Sequence, residues 1–208
     1  MKIKICGITR KSDAILCESV GVDFLGFNFF TFSKRFIQPE NAREIIGSLK
    51  KAKPVGVFVE PDIDYIRSVV ERCNLMGIQI HGSESTSFCN ELKKMFPGFI
   101  IIQAIRIKDK LPDNLSSFKC DYFLFDSFST NMPGGTGKTF NWEILELIKP
   151  LAHKSFIAGG ITLENIDKLL SVITPFGIDV ATGVEKSPGV KDPEKIKKMV
   201  EKLKGKAE

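Results

Sequence analysis

Short apolar runs alternate with amphipathic segments along this chain, eight times over. The runs begin near Lys2, Phe24, Pro54, Gly77, Phe99, Tyr122, Ser155 and Gly177. Most are separated by roughly twenty residues or a little more, room for one strand, one helix and two short loops. They are rich in Ile, Val and Phe and nearly continuous in apolar character, as expected of parallel strands buried on both faces. Between them the period changes to that of a helix. Ile166, Leu169, Leu170 and Ile173 fall on one face behind Thr162, a candidate cap. Ile196, Met199, Val200 and Leu203 do so behind Asp192 as cap and Pro193 at the first helical position. Pro61 starts a third such segment, with Ile63, Ile66, Val69, Val70 and Cys73 on one face. These stripes read as core-facing.

Eight strand–helix units predict an α/β fold, a closed (βα)8 TIM barrel, with an open doubly wound sheet as the runner-up. The chain has 208 residues, enough for one well-buried core and short for two. No linker or low-complexity segment interrupts it, so residues 1–208 read as a single domain.

Composition narrows the function classes. Hydrophobic residues make up 43% and charged residues 26%, which is ordinary globular chemistry. The net charge is +5, with much of the excess between Lys191 and Lys206. Those lysines alternate with Glu194, Glu201 and apolar residues, so they read as a solvated helix face, not a nucleic-acid patch. Five cysteines, Cys6, Cys17, Cys73, Cys89 and Cys120, are scattered with no C-x-x-C spacing, which points to reduced thiols in a cytoplasm. Met1–Cys6 lacks the apolar segment of a signal peptide, and no run reaches membrane-spanning length.

In such a barrel the functional residues gather where strands end and βα loops begin. Cys6 ends the first strand and Asn28 the second, ahead of a loop with Ser33-Lys34-Arg35. Gln79 and His81 stand on the fourth. Asp126 ends the sixth and precedes Gly134-Gly135-Thr136-Gly137-Lys138-Thr139. Ala158-Gly159-Gly160-Ile161 ends the seventh, and Asp179-Val180-Ala181-Thr182-Gly183-Val184 the eighth. Either of the last two glycine turns alone would read as a tight turn. Two on consecutive units at the end of a barrel point to phosphate held by backbone N–H groups. The Gly134–Thr139 segment has Met132 where a Walker A loop needs glycine, so it reads as a mobile loop over the site, with Thr136 a candidate phosphate donor.

Cys6 and Asp126 are the candidate proton-transfer groups, one a thiolate base or nucleophile, the other an acid or base. A lone cysteine is more often a small buried apolar residue, and a lone aspartate a cap or turn former; their placement across one barrel mouth favours the chemical reading. Arg35 suits a carboxylate, although a surface role competes. His81 also fits a packed core-edge histidine. His153 precedes strand seven, at the wrong end for chemistry, so no histidine pair suggests a metal. Lys4 shares a strand face with Cys6, and the neighbouring eighth strand carries Asp179. A Lys4–Asp179 ion pair is expected beneath the thiol.

Lys4-Ile5-Cys6-Gly7-Ile8-Thr9 resembles the opening signature of the phosphoribosylanthranilate isomerase family of tryptophan biosynthesis. The similarity runs through Leu25-Gly26-Phe27, Ser33-Lys34-Arg35, Val55-Gly56-Val57-Phe58-Val59 and Gln79-Ile80-His81-Gly82. It continues through Gly134-Gly135-Thr136-Gly137, Phe140, Trp142 and Ala158-Gly159-Gly160-Ile161, and closes on Gly183-Val184-Glu185 with Ser187-Pro188-Gly189-Val190-Lys191-Asp192. Lys34 stands where the family generally has Pro, and Ala181-Thr182 replaces Ser-Ser. The resemblance implies an Amadori rearrangement of N-(5-phosphoribosyl)anthranilate with Asp126 as general acid and Cys6 as general base. Arg35 would sit on the anthranilate carboxylate. Gln79, His81, Gly135, Thr136, Gly159, Gly160, Thr182 and Gly183 are the further candidate substrate contacts. No metal or organic cofactor is implied; the partner is a phosphorylated small molecule, with neither nucleic acid nor membrane, and the protein a monomer or homodimer. The alternatives are another ribosyl-phosphate isomerase barrel and a non-catalytic phosphosugar-binding barrel.

Overall fold

Eight parallel strands close on themselves in chain order in the computed structural model, which describes residues 1–82, 85–107, 110–126 and 142–205. They are β1 (Lys2–Cys6), β2 (Phe24–Asn28), β3 (Lys53–Phe58), β4 (Gly77–Ile80), β5 (Ile100–Arg106), β6 (Tyr122–Asp126), β7 (Ser155–Ala158) and β8 (Gly177–Val180). Every start lies within one residue of the apolar run that predicts it. A strand buried on both faces is mostly apolar along its length, which marks where it begins.

Around the barrel lie α1 (Lys11–Ser19), α2 (Pro39–Ile46), α3 (Ile63–Cys73), α4 (Thr86–Met95), α5 (Trp142–Ile148), α6 (Ile166–Val172) and α7 (Pro193–Lys204). In α3 the cap is Asp62, whose carboxylate accepts the Asp64 N–H at 2.8 Å, and Ile66, Val69 and Cys73 are buried. In α7 the Asp192 carboxylate accepts from the N–H groups of Glu194 and Lys195, and Ile196, Met199, Val200 and Leu203 pack inward.

Two expectations are corrected. Thr162 does not cap α6 directly. Its hydroxyl accepts the Glu164 N–H at 3.3 Å, closing a turn of its own, and α6 begins only at Ile166 with Asn165 before it. The fifth unit has, among the described residues, only a 3-10 turn at Leu115–Ser117 where an α-helix was expected. The Pro112-Asp113-Asn114 sequence ahead of it favours turns over helix.

The interior is graded along the barrel axis. Toward the N-terminal end Phe24 and Phe156 meet edge to face at 5.4 Å, and Tyr122 stacks on Phe176 at 4.1 Å. Val55, Ile102, Ala104, Leu124 and Ala158 complete this inner cluster. Above it the inward positions turn polar, at Lys4, Gln79 and Asp179, all buried. The apolar plug keeps water from the lower barrel and leaves the upper rim for chemistry.

β8 is followed by a short antiparallel hairpin, β9 (Glu185–Ser187) and β10 (Val190–Lys191), in which Lys191 pairs with Glu185. No helix among the described residues is long and apolar enough to cross a membrane.

Candidate active site

The expected ion pair is present. Lys4 and Asp179 are register neighbours on β1 and β8, and the Lys4 ammonium donates to Asp179 Oδ1 at 2.9 Å with its side chain fully buried. Burial opposes the charge on Lys4, but Asp179 and the thiol of Cys6 more than compensate, so its pKa is raised. Two residues along β1, Cys6 faces the same interior. Burial pushes its thiol up, Lys4 and Lys191 pull it down, Asp179 pushes it up again, and the balance leaves it raised.

Cys6 lines a cavity of about 260 Å³ together with Asp126, from the far side of the barrel. The two candidate proton carriers therefore do flank one space. Gln79, His81 and Arg35 line the same cavity, as do Gly159, Gly160 and Thr182. His81 Nε2 lies 3.4 Å from Asp126 Oδ2, with both side chains one-fifth exposed. Gln79 Oε1 is buried without a hydrogen-bond partner among the described residues. A larger hollow of about 470 Å³ opens near Gln103, Arg106 and the start of α4, but it holds none of the candidate groups.

The rim after β7 and β8 is built for close approach. Gly159 and Gly160 have φ of 93° and 61°, the left-handed region that other residues avoid. Gly183 packs directly on the loop after β7, since a Cβ there would lie 1.9 Å from the Ile161 carbonyl oxygen. The Thr182–Val184 turn is thus clamped against Ile161–Thr162. Gly135 and Thr136, with the rest of the loop after β6, lie outside the described residues.

Arg35 reaches the cavity by a route the sequence does not announce. Asn28 donates to the Ser33 hydroxyl at 3.1 Å, and that hydroxyl accepts the Arg35 N–H at 3.1 Å, so the β2 loop turns back toward β1. The Arg35 stem then crosses Gly7, where a Cβ would come within 2.3 Å of its Cδ and where φ is +78°. The guanidinium is not free. Its Nε and Nη2 donate to the two oxygens of Glu185 at 2.8 and 2.6 Å.

Glu185 also accepts from Lys191 Nζ at 2.8 Å, and Lys191 Nζ donates to the Cys6 carbonyl oxygen. Burial opposes the Glu185 charge, yet Arg35 and Lys191 hold its carboxyl below the usual range. The expectation of a solvated lysine face fails at its first member. Lys191 is 2% exposed, because it belongs to the hairpin and not to α7. Thr9 donates to the Gly189 carbonyl at 2.6 Å, so the opening and closing motifs of the sequence are two halves of one cluster. Glu185 and Lys191 are the functional candidates that residue-by-residue reading missed. Opposite charges flanking Ser187-Pro188-Gly189 were the available signal, a turn that places them across a hairpin.

A closed parallel barrel carrying this constellation on its C-terminal rim defines the class, a (βα)8-barrel enzyme. A sequence profile of the family N-(5'phosphoribosyl)anthranilate (PRA) isomerase matches residues 3–202. An N-(5'-phosphoribosyl)anthranilate isomerase from Geotalea uraniireducens (strain Rf4) is 39% identical over 206 residues, covering 98% of each chain. The crystal structure of a phosphoribosyl anthranilate isomerase from Thermus thermophilus superposes with a TM-score of 0.86 at 30% identity, again over 98% of each. A third, at TM-score 0.84 and 30% identity over 99% of this chain and 100% of the other, is a phosphoribosyl anthranilate isomerase in complex with reduced 1-(o-carboxyphenylamino)-1-deoxyribulose 5-phosphate. The chain belongs to the phosphoribosylanthranilate isomerase family, the isomerases of tryptophan biosynthesis.

Proposed function

We propose that the chain isomerises N-(5-phosphoribosyl)anthranilate through an acid–base relay across the barrel mouth, between Asp126 and Cys6. The observation that carries this reading is the single cavity lined from opposite sides by these two groups. Asp126 protonates the furanose ring oxygen; the C1′–O bond breaks and the substrate nitrogen becomes an iminium. The Cys6 thiolate then takes the C2′ proton, leaving an enolamine that tautomerises to the ketone product. The substrate's own nitrogen is the electron sink.

The raised pKa of Cys6 fits this order of events. Burial disfavours the thiolate in the free enzyme, and the cationic iminium adds the positive charge that favours it. His81, beside Asp126, orients the acid. Gly159, Gly160, Thr182 and Gly183 hold the phosphate through backbone N–H groups, so Ala181-Thr182 in place of Ser-Ser is tolerated. Arg35 takes the anthranilate carboxylate and Gln79 accepts from a ribose hydroxyl.

The test is steady-state turnover of freshly made phosphoribosylanthranilate. Cys6→Ser and Asp126→Asn should each lower kcat by about 10²-fold or more while the product analogue still binds. Near-normal turnover in either variant removes that residue from the mechanism.

A further inference from the structure

We propose that Glu185 is a positioning residue for substrate recognition: it holds the Arg35 guanidinium from behind so that its outer edge is presented, already aimed, to the substrate carboxylate. This rests on the reading that Arg35 binds that carboxylate.

A guanidinium has five N–H groups arranged along its edges. Glu185 occupies the edge formed by Nε and Nη2, at 2.8 and 2.6 Å. The end edge, Nη1 with the second hydrogen of Nη2, still offers a bidentate fork. Exposure separates the partners: the Arg35 side chain is 21% exposed and lines the cavity beside Cys6, whereas Glu185 is 4% exposed and lies behind it. An ion pair serving the fold alone would have no reason to leave the cation facing the cavity.

The Glu185 carboxylate is itself tied on several sides. It accepts from Arg35 twice, from Lys191 Nζ, and from the Gly189 N–H at 3.2 Å. A buried carboxylate so fully satisfied does not trade partners readily. The Arg35 stem is fixed in turn by its passage over Gly7. The long side chain thus loses its rotamer freedom before ligand arrives, which is worth up to roughly ten-fold in affinity.

The experiment compares two ligands by calorimetry: reduced 1-(o-carboxyphenylamino)-1-deoxyribulose 5-phosphate, and the same compound lacking the carboxyl group. Glu185→Gln keeps the size and loses the charge. It should weaken the carboxylated ligand by about ten-fold and leave the decarboxylated one within about two-fold. Arg35→Ala should show the same pattern more strongly, and the double variant should be no weaker than Arg35→Ala. Equal weakening of both ligands by Glu185→Gln would make Glu185 structural. Tighter binding of the carboxylated ligand would make it a competitor for Arg35. Either overturns the proposal while Arg35 keeps its role. An Arg35→Ala variant that treats both ligands alike removes the Arg35 reading, and this proposal with it. Should Glu185→Gln fail to fold by circular dichroism, Glu185→Asp, with the charge on a shorter arm, is read by the same pair of ligands. A smaller loss confined to the carboxylated ligand supports the proposal, and no difference between the ligands overturns it.

Discussion

Replacing Lys4 by methionine tests the electrostatic floor of the site. At 2.9 Å and an effective dielectric of about 20, the gross attraction between Lys4 and Asp179 is about 6 kcal/mol. Desolvation of two ions, one of them fully buried, offsets much of that, so the pair as a whole adds little to stability. Removal of one partner is another matter, because Asp179 is left charged, or forced to take a proton, inside the barrel. Lys4→Met should therefore cost about 3–5 kcal/mol, a large share of the roughly 5–15 kcal/mol of a whole domain. Lys4→Met with Asp179→Leu should recover most of it, since an apolar pair of similar volume replaces the ions. Equilibrium unfolding in urea measures both. The sign with pH follows from the raised Lys4 pKa: the contribution is complete below the unfolded lysine pKa of about 10.4 and fades only as pH rises through the folded value. The same variant removes a group that pulls the Cys6 thiol down, so the midpoint of iodoacetamide alkylation against pH should move up. A single variant as stable as the parent would mean that Asp179 is not effectively desolvated. An unmoved alkylation midpoint would make Lys4 structural and leave activation of Cys6 to the bound iminium.

Gly183→Ala should raise KM for the phosphorylated substrate by about ten-fold or more with a smaller effect on kcat, because its Cβ would meet the Ile161 carbonyl at 1.9 Å and part the two loops proposed to hold the phosphate; unchanged kinetics would place the phosphate elsewhere. Asp23 receives Lys2, Lys204 and the Ile3 N–H, which overcome its burial and depress its pKa, and Glu185 is likewise depressed. Both lend stability that is complete above the unfolded carboxylate pKa of about 4 and lost as pH falls through the folded values, so the urea midpoint should drop below about pH 4, and Asp23→Asn should flatten part of that drop.

The parts of the fold that the sequence displays are those governed by local pattern. β1 to β8 show because two-sided burial makes most positions of each strand apolar. α3 and α7 show because a cap and a 3.6-residue stripe coincide. The Lys4–Asp179 pair is legible because strand alternation and barrel closure suffice to place both ends. The fifth unit misleads because alternation of units is a regularity of architecture, while Pro112-Asp113-Asn114 decides locally. Lys191 misleads because a run of lysines gives no sign of where a hairpin ends and a helix begins. Arg35 shows its chemistry but not its partner, since contact with Glu185 spans 150 residues of chain.

The long separations have a consequence for the growing polypeptide. Lys4 meets its carboxylate across 175 residues, and Lys191 reaches Cys6 across 185. Until β8 arrives, β1 is an open sheet edge, the kind of surface that recruits stray strands from other molecules. An ammonium on its inward face makes such recruitment costly, because an apolar intruder would strand the charge. The strand that ends the vigil is the one bearing Asp179. Until that strand is in place, the charge on the inward face of β1 weighs against pairing with an apolar strand.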